Sequence, residues 1–233
     1  MAIIQANKED IGENVITVGN LNRQKTVNSL LTGVKQVNEF AGYYAYTGKY
    51  NGEKVTTVFH GIGTPSMALI SNDLASLGAK KIVRFGSGFS VTPDLKAGEL
   101  AVVMGYSYNP NGTFYQYLKD NMSIALTPDY SLLRKLTDNL DEKSLKYRAG
   151  NVFTSDALQA HDSEFIKKLD ERNQIAVELE GAGLYFMAGI KKFKTVSMHL
   201  IYGNLATNES LSPENINKTE KEAAQALIET IID

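Results

Sequence analysis

Residues 15–23 read VITVGNLNR, and this stretch indicates how the chain is built. Its four apolar or β-branched residues predict a buried strand, Gly19 provides a turn, and a helix begins in the residues that follow. The same alternation of short apolar runs and longer amphipathic segments continues along the chain. Strands that alternate with helices favour an α/β fold with a mostly parallel sheet.

Outward from this unit, the hydrophobic pattern predicts further strands and helices. The predicted strands are Val15–Val18, Tyr43–Tyr50, Val55–Phe59, Lys81–Phe85, Leu100–Tyr106, Tyr147–Phe153, Ile175–Leu179 and Thr195–Tyr202. The predicted helices are Asn22–Leu31, Pro65–Leu77, Asp129–Asn139, Ser163–Arg172, Gly181–Lys191 and Pro213–Ile232. Asn51-Gly52 predicts a hairpin between the second and third strands, because both residues tolerate a type I′ turn. We therefore expect a single domain over residues 1–233, a three-layer α/β/α sandwich with a mixed, mostly parallel central sheet.

The composition excludes several classes of site. The 233 residues carry a formal net charge of -2 and include no cysteine, so neither a nucleic-acid surface nor a disulfide or thiolate site is expected. The histidines, His60, His161 and His199, lack the spacing of metal ligands. Residues 1–13 do not resemble a signal peptide, and the sequence has no apolar run long enough for a membrane span. We therefore expect a cytoplasmic protein without a bound metal.

Two arginines are candidates for binding an anion. Arg23 follows the Gly19 turn, where free backbone N–H groups and a helix N-terminus favour negative charge; a plain strand–helix turn with a surface arginine is the simpler alternative. Arg84 interrupts a predicted central strand, and a buried guanidinium requires an anionic partner. That partner is either a ligand beside Gly86-Ser87-Gly88 or a buried Glu or Asp, and this segment favours neither.

Two other segments follow strands and begin helices. Residues 60–66 (HGIGTPS) lack the lysine of an ATP site and the glycine spacing of a dinucleotide site, so His60 is expected to be a packed histidine. Glu178 and Glu180 are two residues apart in a strand-like stretch, so their carboxylates point to one face. Such a pair suits the hydroxyls and the developing positive charge of a ribose. The alternative, acids that complement a helix N-terminus, explains Glu180 better than Glu178.

Taken together, four segments resemble motifs of the nucleoside phosphorylase family, and in particular of the bacterial hexameric purine nucleoside phosphorylases. The matching stretches, in order, are residues 60–66 (HGIGTPS), 84–87 (RFGS), 150–156 (GNVFTSD) and 177–185 (VELEGAGLY). The resemblance implies cleavage of a nucleoside by inorganic phosphate to free base and ribose 1-phosphate. It also implies that no metal or organic cofactor is needed.

The resemblance also implies roles for individual residues and an oligomeric state. Phosphate-binding positions fall on Gly19, Arg23, Arg84 and Ser87, and Arg84 is expected to take part in catalysis. Phe153 falls on the aromatic residue that stacks on the base, and Glu178, Leu179 and Glu180 fall on the base-edge and ribose positions, with Glu180 on the ribose hydroxyls. The family implies a homohexamer arranged as a trimer of dimers. The aromatic stretch Phe40–Tyr46 separately predicts at least a dimer.

Three departures concern the phosphate and the neighbouring subunit. The family's Gly-Asp phosphate turn reads Gly19-Asn20 here. An arginine that the family lends from a partner subunit aligns with Ala41, and a partner-lent histidine has no counterpart near Ile3.

Two departures concern the base. Phe89 replaces a glycine of the family's base pocket. The family's catalytic acid, an Asp that protonates the purine ring at N7, should lie near Gly203-Asn204, where the sequence has no carboxylate before Glu209. Asn204 is then the candidate catalytic residue that hydrogen-bonds the base, although an amide cannot donate a full proton.

The sequence leaves several functions open. The first is a divergent purine nucleoside phosphorylase that uses Asn204. The second is a uridine or other pyrimidine nucleoside phosphorylase, whose leaving group needs no acid at N7, although that group's usual Gln and Arg are not evident. The third is a nucleoside-binding protein with little or no turnover. A methylthioadenosine nucleosidase is less favoured, because Arg23 and Arg84 suit phosphate more than water.

Overall fold

A computed structural model describes residues 2–109, 112–120 and 122–232, except for the side chains of residues 213–218. Its strands are β1 Asn14–Val18, β2 Thr32–Asn38, β3 Ala45–Tyr50, β4 Glu53–Phe59, β5 Lys81–Ser90, β6 Leu100–Tyr108, β7 Tyr147–Thr154, β8 Gln174–Glu178, β9 Ser197–Asn204 and β10 Glu209–Ser210. Its helices are α1 Leu21–Asn28, α2 Thr64–Ser76, α3 Gly112–Leu118, α4 Tyr130–Glu142, α5 Ser163–Glu171, α6 Gly181–Lys191 and α7 Pro213–Ile231. Every predicted strand and helix is present, with ends shifted by a few residues.

Three of these elements were not predicted. The strand β2 reads TGVKQVN and is mostly exposed, so it carries no apolar alternation that would mark it. The two-residue strand β10 is too short for any pattern, and α3 lies in an aromatic segment that reads as a loop. Their positions are set by pairing and packing with distant parts of the chain.

The strands form one sheet in the order β10-β9-β6-β7-β8-β5-β1-β4-β3-β2, and β9 also pairs with β5. The strands β5, β8, β7, β6 and β9 therefore close into a ring. Parallel pairs join β1 to β4 and β5, β5 to β9, and β7 to β6 and β8. The sheet is mixed, as predicted, but antiparallel pairing also occurs within the ring, where β5 meets β8 and β6 meets β9.

Helices cover both sides of the sheet, which confirms the α/β fold. The helices α2 and α6 pack together and bury residues such as Met67, Leu74 and Phe186. The helices α1, α4 and α7 belong to the second core, with Val27, Leu136 and Leu227 among its members. Burying such side chains is the dominant favourable term in folding. A third, smaller apolar cluster is made by Val91, Phe153, Ile166, Leu169 and Val177.

The strand β5 continues five residues beyond its predicted end at Phe85. It pairs in parallel with β9 from Arg84 to Ser90, so the Gly86-Ser87-Gly88 segment is strand rather than loop. A Cβ atom at Gly86 would overlap the side chains of Arg84 and His199. Glycine is therefore required here because side chains pass close to the backbone of a strand.

Candidate functional site

A cavity of about 150 Å³ lies where β1, β5 and β8 come together. Six of the residues that were predicted to form the site line it, namely Gly19, Arg84, Ser87, Glu178, Leu179 and Glu180. The other lining residues are Gly88, Phe89, Leu158 and Val177. Arg23, Phe153 and Asn204 are not among the lining residues. The cavity thus joins a cationic group and two carboxylates on one side to apolar side chains on the other.

The guanidinium of Arg84 is buried and bonded to protein groups on all of its nitrogens. Nη1 lies 2.8 Å from Glu178 Oε2, and Nη2 bonds Glu180 Oε2. Nε donates to His60 Nε2 at 3.3 Å, and Nη1 lies 3.0 Å from His199 Nδ1. Of the two partners that the sequence left open for Arg84, the structure shows the buried carboxylates. A ligand anion would have to share Arg84 with them.

The contacts of Arg84 decide the protonation of both histidines. An arginine only donates, so His60 Nε2 and His199 Nδ1 must be unprotonated acceptors. His60 Nδ1–H then donates to Gly61 O at 2.8 Å, and His199 Nε2–H donates to the Tyr106 hydroxyl at 2.7 Å. Burial, followed by the charge of Arg84, holds the pKa of both histidines well below its usual value. Two neutral imidazoles therefore flank the guanidinium.

Glu178 is held at the beginning of α6. Its carboxylate accepts the backbone N–H groups of Glu180 and Gly181, each at 2.9 Å, and the Thr154 hydroxyl. The sequence favoured Glu180 as the acid that complements this helix N-terminus; the structure gives that position to Glu178. The reason is the strand-to-helix turn, which brings the carboxylate of Glu178 back over the first N–H groups of α6.

Glu180 has the more unusual environment of the two carboxylates. It accepts the Gly63 N–H at 3.0 Å and pairs with Arg84. Burial raises the pKa of Glu180; Arg84 opposes the rise and the nearby Glu178 adds to it. Two acids therefore share one arginine, and this arrangement favours a ligand that offers hydroxyl donors to Glu180.

Arg23 is completely buried and is not among the residues that line the cavity. Its Nε lies 2.7 Å from Glu220 Oε1 on α7, and Nη1 donates to Phe85 O at 3.3 Å. Nη2 donates to the hydroxyls of Ser87 and Tyr202, each at 3.0 Å. The alternative of a surface arginine is wrong, because Arg23 is buried. Its connection to the cavity is the hydrogen bond to Ser87, and its role in binding phosphate stays a prediction.

Asn20 occupies part of the helix N-terminus that follows the Gly19 turn. The side chain of Asn20 accepts the N–H groups of Asn22 at 2.7 Å and Arg23 at 3.2 Å, and so caps α1. An Asn at this position is a strong cap because its short side chain reaches the first turn. Two N–H groups of this helix N-terminus are therefore occupied by the protein itself, while Gly19 lines the cavity.

Asn204 is buried with all of its amide groups in use. Nδ2 donates to the carbonyls of Thr92 at 2.9 Å and Leu95 at 3.0 Å. Oδ1 accepts the N–H groups of Ala206 at 2.9 Å and Thr207 at 3.1 Å. In the structure the Asn204 side chain therefore organises the turn after β9 through four backbone hydrogen bonds, and its role toward a leaving base stays a prediction.

Phe153 was predicted to stack on the base, but it packs in the third apolar cluster. Its ring meets that of Phe165 edge to face, with the ring centres 5.7 Å apart. The apolar residues that do line the cavity are Phe89, Leu158 and Val177, together with the predicted Leu179. The segment after β7 brings Leu158 to the cavity, and this placement cannot be recognised in the sequence because Leu158 is an isolated apolar residue in a polar stretch.

Within the described residues, no group of three or more histidines or acids is placed to hold a metal ion. No helix within these residues has the length and hydropathy of a membrane span. The buried histidines His60 and His199 are bound to Arg84.

Known proteins resemble this chain along nearly its full length. The phosphorylase superfamily matches residues 14–233. The DeoD-type purine nucleoside phosphorylases of Exiguobacterium sibiricum and Caldanaerobacter subterraneus subsp. tengcongensis are each 30% identical, over 98% and 97% of this chain and 97% of each relative. The crystal structure of uridine phosphorylase from Vibrio fischeri ES114 has the same fold, with a TM-score of 0.87 at 20% identity over 99% of this chain and 98% of that one. The chain belongs to the phosphorylase superfamily.

Proposed function

We propose that the chain cleaves the N-glycosidic bond of nucleosides with inorganic phosphate, giving free base and ribose 1-phosphate. The observation that carries this proposal is the meeting of Arg84 and Ser87 with Glu178 and Glu180 in one cavity. An arginine and a serine hydroxyl suit phosphate, and paired carboxylates suit a pentose. The names of the relatives, purine nucleoside phosphorylase and uridine phosphorylase, support the same reaction class.

In this reaction, a phosphate oxygen attacks C1′ of the ribose as the bond from C1′ to the base nitrogen breaks. The electron pair of that bond leaves with the base. Positive charge develops on the ribose, and the carboxylates of Glu178 and Glu180 stabilise it electrostatically. Glu180 accepts the ribose hydroxyls, whereas Gly19, Ser87 and Arg84 hold phosphate.

Phosphate binding requires a redistribution of the contacts of Arg84. In the structure its Nη1 and Nη2 groups are paired with Glu178 and Glu180. When the ribose hydroxyls donate hydrogen bonds to Glu180, they stabilise its carboxylate in place of Arg84. The guanidinium of Arg84 can then donate a hydrogen bond to phosphate. Arg23 acts on phosphate only through the hydroxyl of Ser87. We therefore expect nucleoside and phosphate to favour each other's binding.

The direct test measures release of base from inosine, adenosine and uridine, with and without phosphate. We expect cleavage only with phosphate and formation of ribose 1-phosphate. Glu180→Gln should lower turnover on the order of 10²-fold or more, because a neutral amide stabilises the cationic transition state poorly. Glu171→Gln is the matched control, since Glu171 is exposed at the end of α5 and should behave as the original protein does. Equal rates without phosphate would contradict phosphorolysis.

A second function, nucleoside binding with little or no turnover, is favoured by one observation. The side chain of Asn204 is fully engaged with backbone groups and cannot assist a leaving purine without breaking those bonds. General acid assistance is typically worth about 10²–10⁴-fold in rate. Tight binding of inosine or uridine, with no release of base over hours at saturating phosphate, would favour this function over catalysis.

We also propose a cytoplasmic homo-oligomer, at least a dimer and by family resemblance a hexamer built as a trimer of dimers, that needs no metal or organic cofactor. Exposed apolar side chains support an assembly: Ile62 beside the cavity region is 76% exposed and Phe40 is 38% exposed. Of the predicted aromatic stretch, Tyr43 is half-buried and bonds Ser66, so part of it serves the protein's own core. Light scattering at micromolar protein tests this, and a monomer would contradict it.

A further inference from the structure

Phe89 is the single aromatic side chain among the described residues that line the cavity. Its backbone is fixed from two sides, because β5 pairs there with Val177 of β8 and with Gly203 of β9. A residue held in a ring of strands cannot withdraw without breaking the pairing on both sides. The pairing therefore holds the backbone of Phe89 beside the cavity, and its side chain forms one wall.

The ring of Phe89 lies beside the backbone of β9. A Cβ atom at Gly203 would lie 3.3 Å from the ring of Phe89 and 2.9 Å from Glu209 O. A glycine at position 203 therefore lets the ring lie close to β9 without crowding.

The opposite side of the cavity is easier to displace. Leu158 begins a three-residue 3₁₀ turn, Leu158–Ala160, and is 41% exposed. Leu179 also lines a neighbouring cavity of about 520 Å³, which contains Gly63 beside Glu180. A sugar bound to Glu180 can therefore extend into that larger space. A base in the first cavity has no comparable room on the side of Phe89.

The size of the cavity then limits the base. The cavity of about 150 Å³ is small beside sites for drug-sized ligands, which measure about 300–1,000 Å³, and the base must share it with phosphate at Arg84 and Ser87. A six-membered ring is therefore close to the limit that the wall at Phe89 permits. A fused second ring directed toward β5 would meet the Phe89 side chain.

We propose that Phe89 selects nucleosides with a single-ring base, so that pyrimidine nucleosides bind and react in preference to purine nucleosides. This inference rests on the proposed function. A pyrimidine also agrees with the contacts of Asn204, because its departure does not depend on protonation of a purine N7. Phe89 then supplies the apolar face against which the base packs, in place of the predicted Phe153.

The test compares the dissociation constants of uridine and inosine by calorimetry and, where base is released, the ratio of their kcat/KM values. The original protein should prefer uridine, by on the order of 10-fold. Phe89→Ala should shift the ratio toward inosine on the order of 10- to 100-fold, which is the usual value of a hydrophobic contact in discrimination. Phe89→Leu should shift it less and guards against loss of folding in the alanine variant. Phe165→Leu removes a neighbouring ring that does not line the cavity, and should leave the ratio unchanged.

The outcomes separate the inference from the function on which it rests. If the original protein binds inosine as tightly as uridine, or if neither Phe89 variant moves the ratio, the role of Phe89 is wrong and phosphorolysis is unaffected. If neither nucleoside binds at millimolar concentration, the proposed function fails and this inference fails with it.

Discussion

Two buried arginines, Arg23 and Arg84, are neutralised by different parts of the fold. The Arg23 cluster consists of Arg23, Glu220, Tyr202 and Ser87, with one carboxylate for one guanidinium. The Arg84 cluster consists of Arg84, Glu178, Glu180, His60 and His199, with two carboxylates for one guanidinium. In the first cluster the charges balance, and in the second an acid is in excess.

This difference separates a structural arginine from a ligand-binding one. A buried guanidinium with a single good partner and further hydrogen bonds has no need of a ligand. A guanidinium shared by two acids, one of them with a raised pKa, can exchange a partner when a ligand brings hydroxyl donors or negative charge. Arg84 also lines the cavity and Arg23 does not. We therefore expect substitutions in the two clusters to have separable effects.

The largest effect should follow from Arg84→Ala. It leaves the carboxylates of Glu178 and Glu180 buried without their cation, which should lower the free energy of unfolding by about 3–5 kcal/mol. The rise in melting temperature that millimolar phosphate gives the original protein should also disappear. Arg148→Ala, which removes an arginine paired with the exposed Asp94, is the control and should change neither. A phosphate-dependent shift that survives in Arg84→Ala would place the anion elsewhere.

Glu220→Ala should have the next largest effect, and this effect should be on stability alone. It leaves Arg23 without its carboxylate, at a cost of about 3 kcal/mol in the free energy of unfolding. The phosphate-dependent shift in melting temperature should persist, because Glu220 does not line the cavity. Lys221→Ala, at the next and exposed position on α7, should be neutral. Loss of the phosphate response in Glu220→Ala would show that Arg23 binds phosphate directly.

The pH dependence of stability should report on the Arg84 cluster and not on the Arg23 cluster, with a further contribution from His161, whose pKa burial also lowers. The pKa values of His60 and His199 are held below about 6.5, the value expected in the unfolded chain. Below that pH the unfolded chain takes up protons that the folded chain does not, so the free energy of unfolding falls, approaching about 1.4 kcal/mol per pH unit for each histidine. Glu180 has a raised pKa, so as the pH falls the folded chain takes up a proton there before the unfolded chain does. This uptake opposes the loss of stability caused by the histidines.

Denaturant titrations between about pH 7 and about pH 5.5 measure this slope. His199→Gln should reduce it by the contribution of one histidine. Glu220→Gln should leave it unchanged, because the Arg23 cluster contains no histidine among its described members. A slope that is equal in His199→Gln and the original protein would mean that His199 is protonated in the folded chain.

Ser87→Ala should have the smallest effect on stability and is informative because Ser87 connects the Arg23 cluster to the cavity. Its hydroxyl accepts a hydrogen bond from Arg23, and Ser87 lines the cavity together with Arg84. Loss of one hydrogen bond to a charged group should cost about 1.5–3 kcal/mol in the free energy of unfolding. We expect KM for phosphate to rise while KM for the nucleoside changes little. An unchanged KM for phosphate would place the anion away from Ser87.

Much of the fold follows from local pattern, and the candidate site follows only in part. Strands such as β1 and β8 are continuous apolar runs, and helices such as α4 repeat Leu132, Leu136 and Leu140 at helical spacing, so their positions are readable. The ring closed by β5 and β9 is not readable, because it depends on pairing between residues more than a hundred positions apart. The extension of β5 through Gly86 has the same cause.

The sequence by itself determined the α/β class, the order of the elements, the absence of cysteine chemistry and the set of polar residues available to the cavity. It could not assign their partners. Whether Arg23, Arg84 or Asn204 can bind a ligand depends on which groups from distant parts of the chain contact it. Their partners Glu220, His199 and Thr92 all come from other elements. A buried polar group must form hydrogen bonds or ion pairs that offset its loss of water, and the tertiary structure determines which groups are close enough to form them.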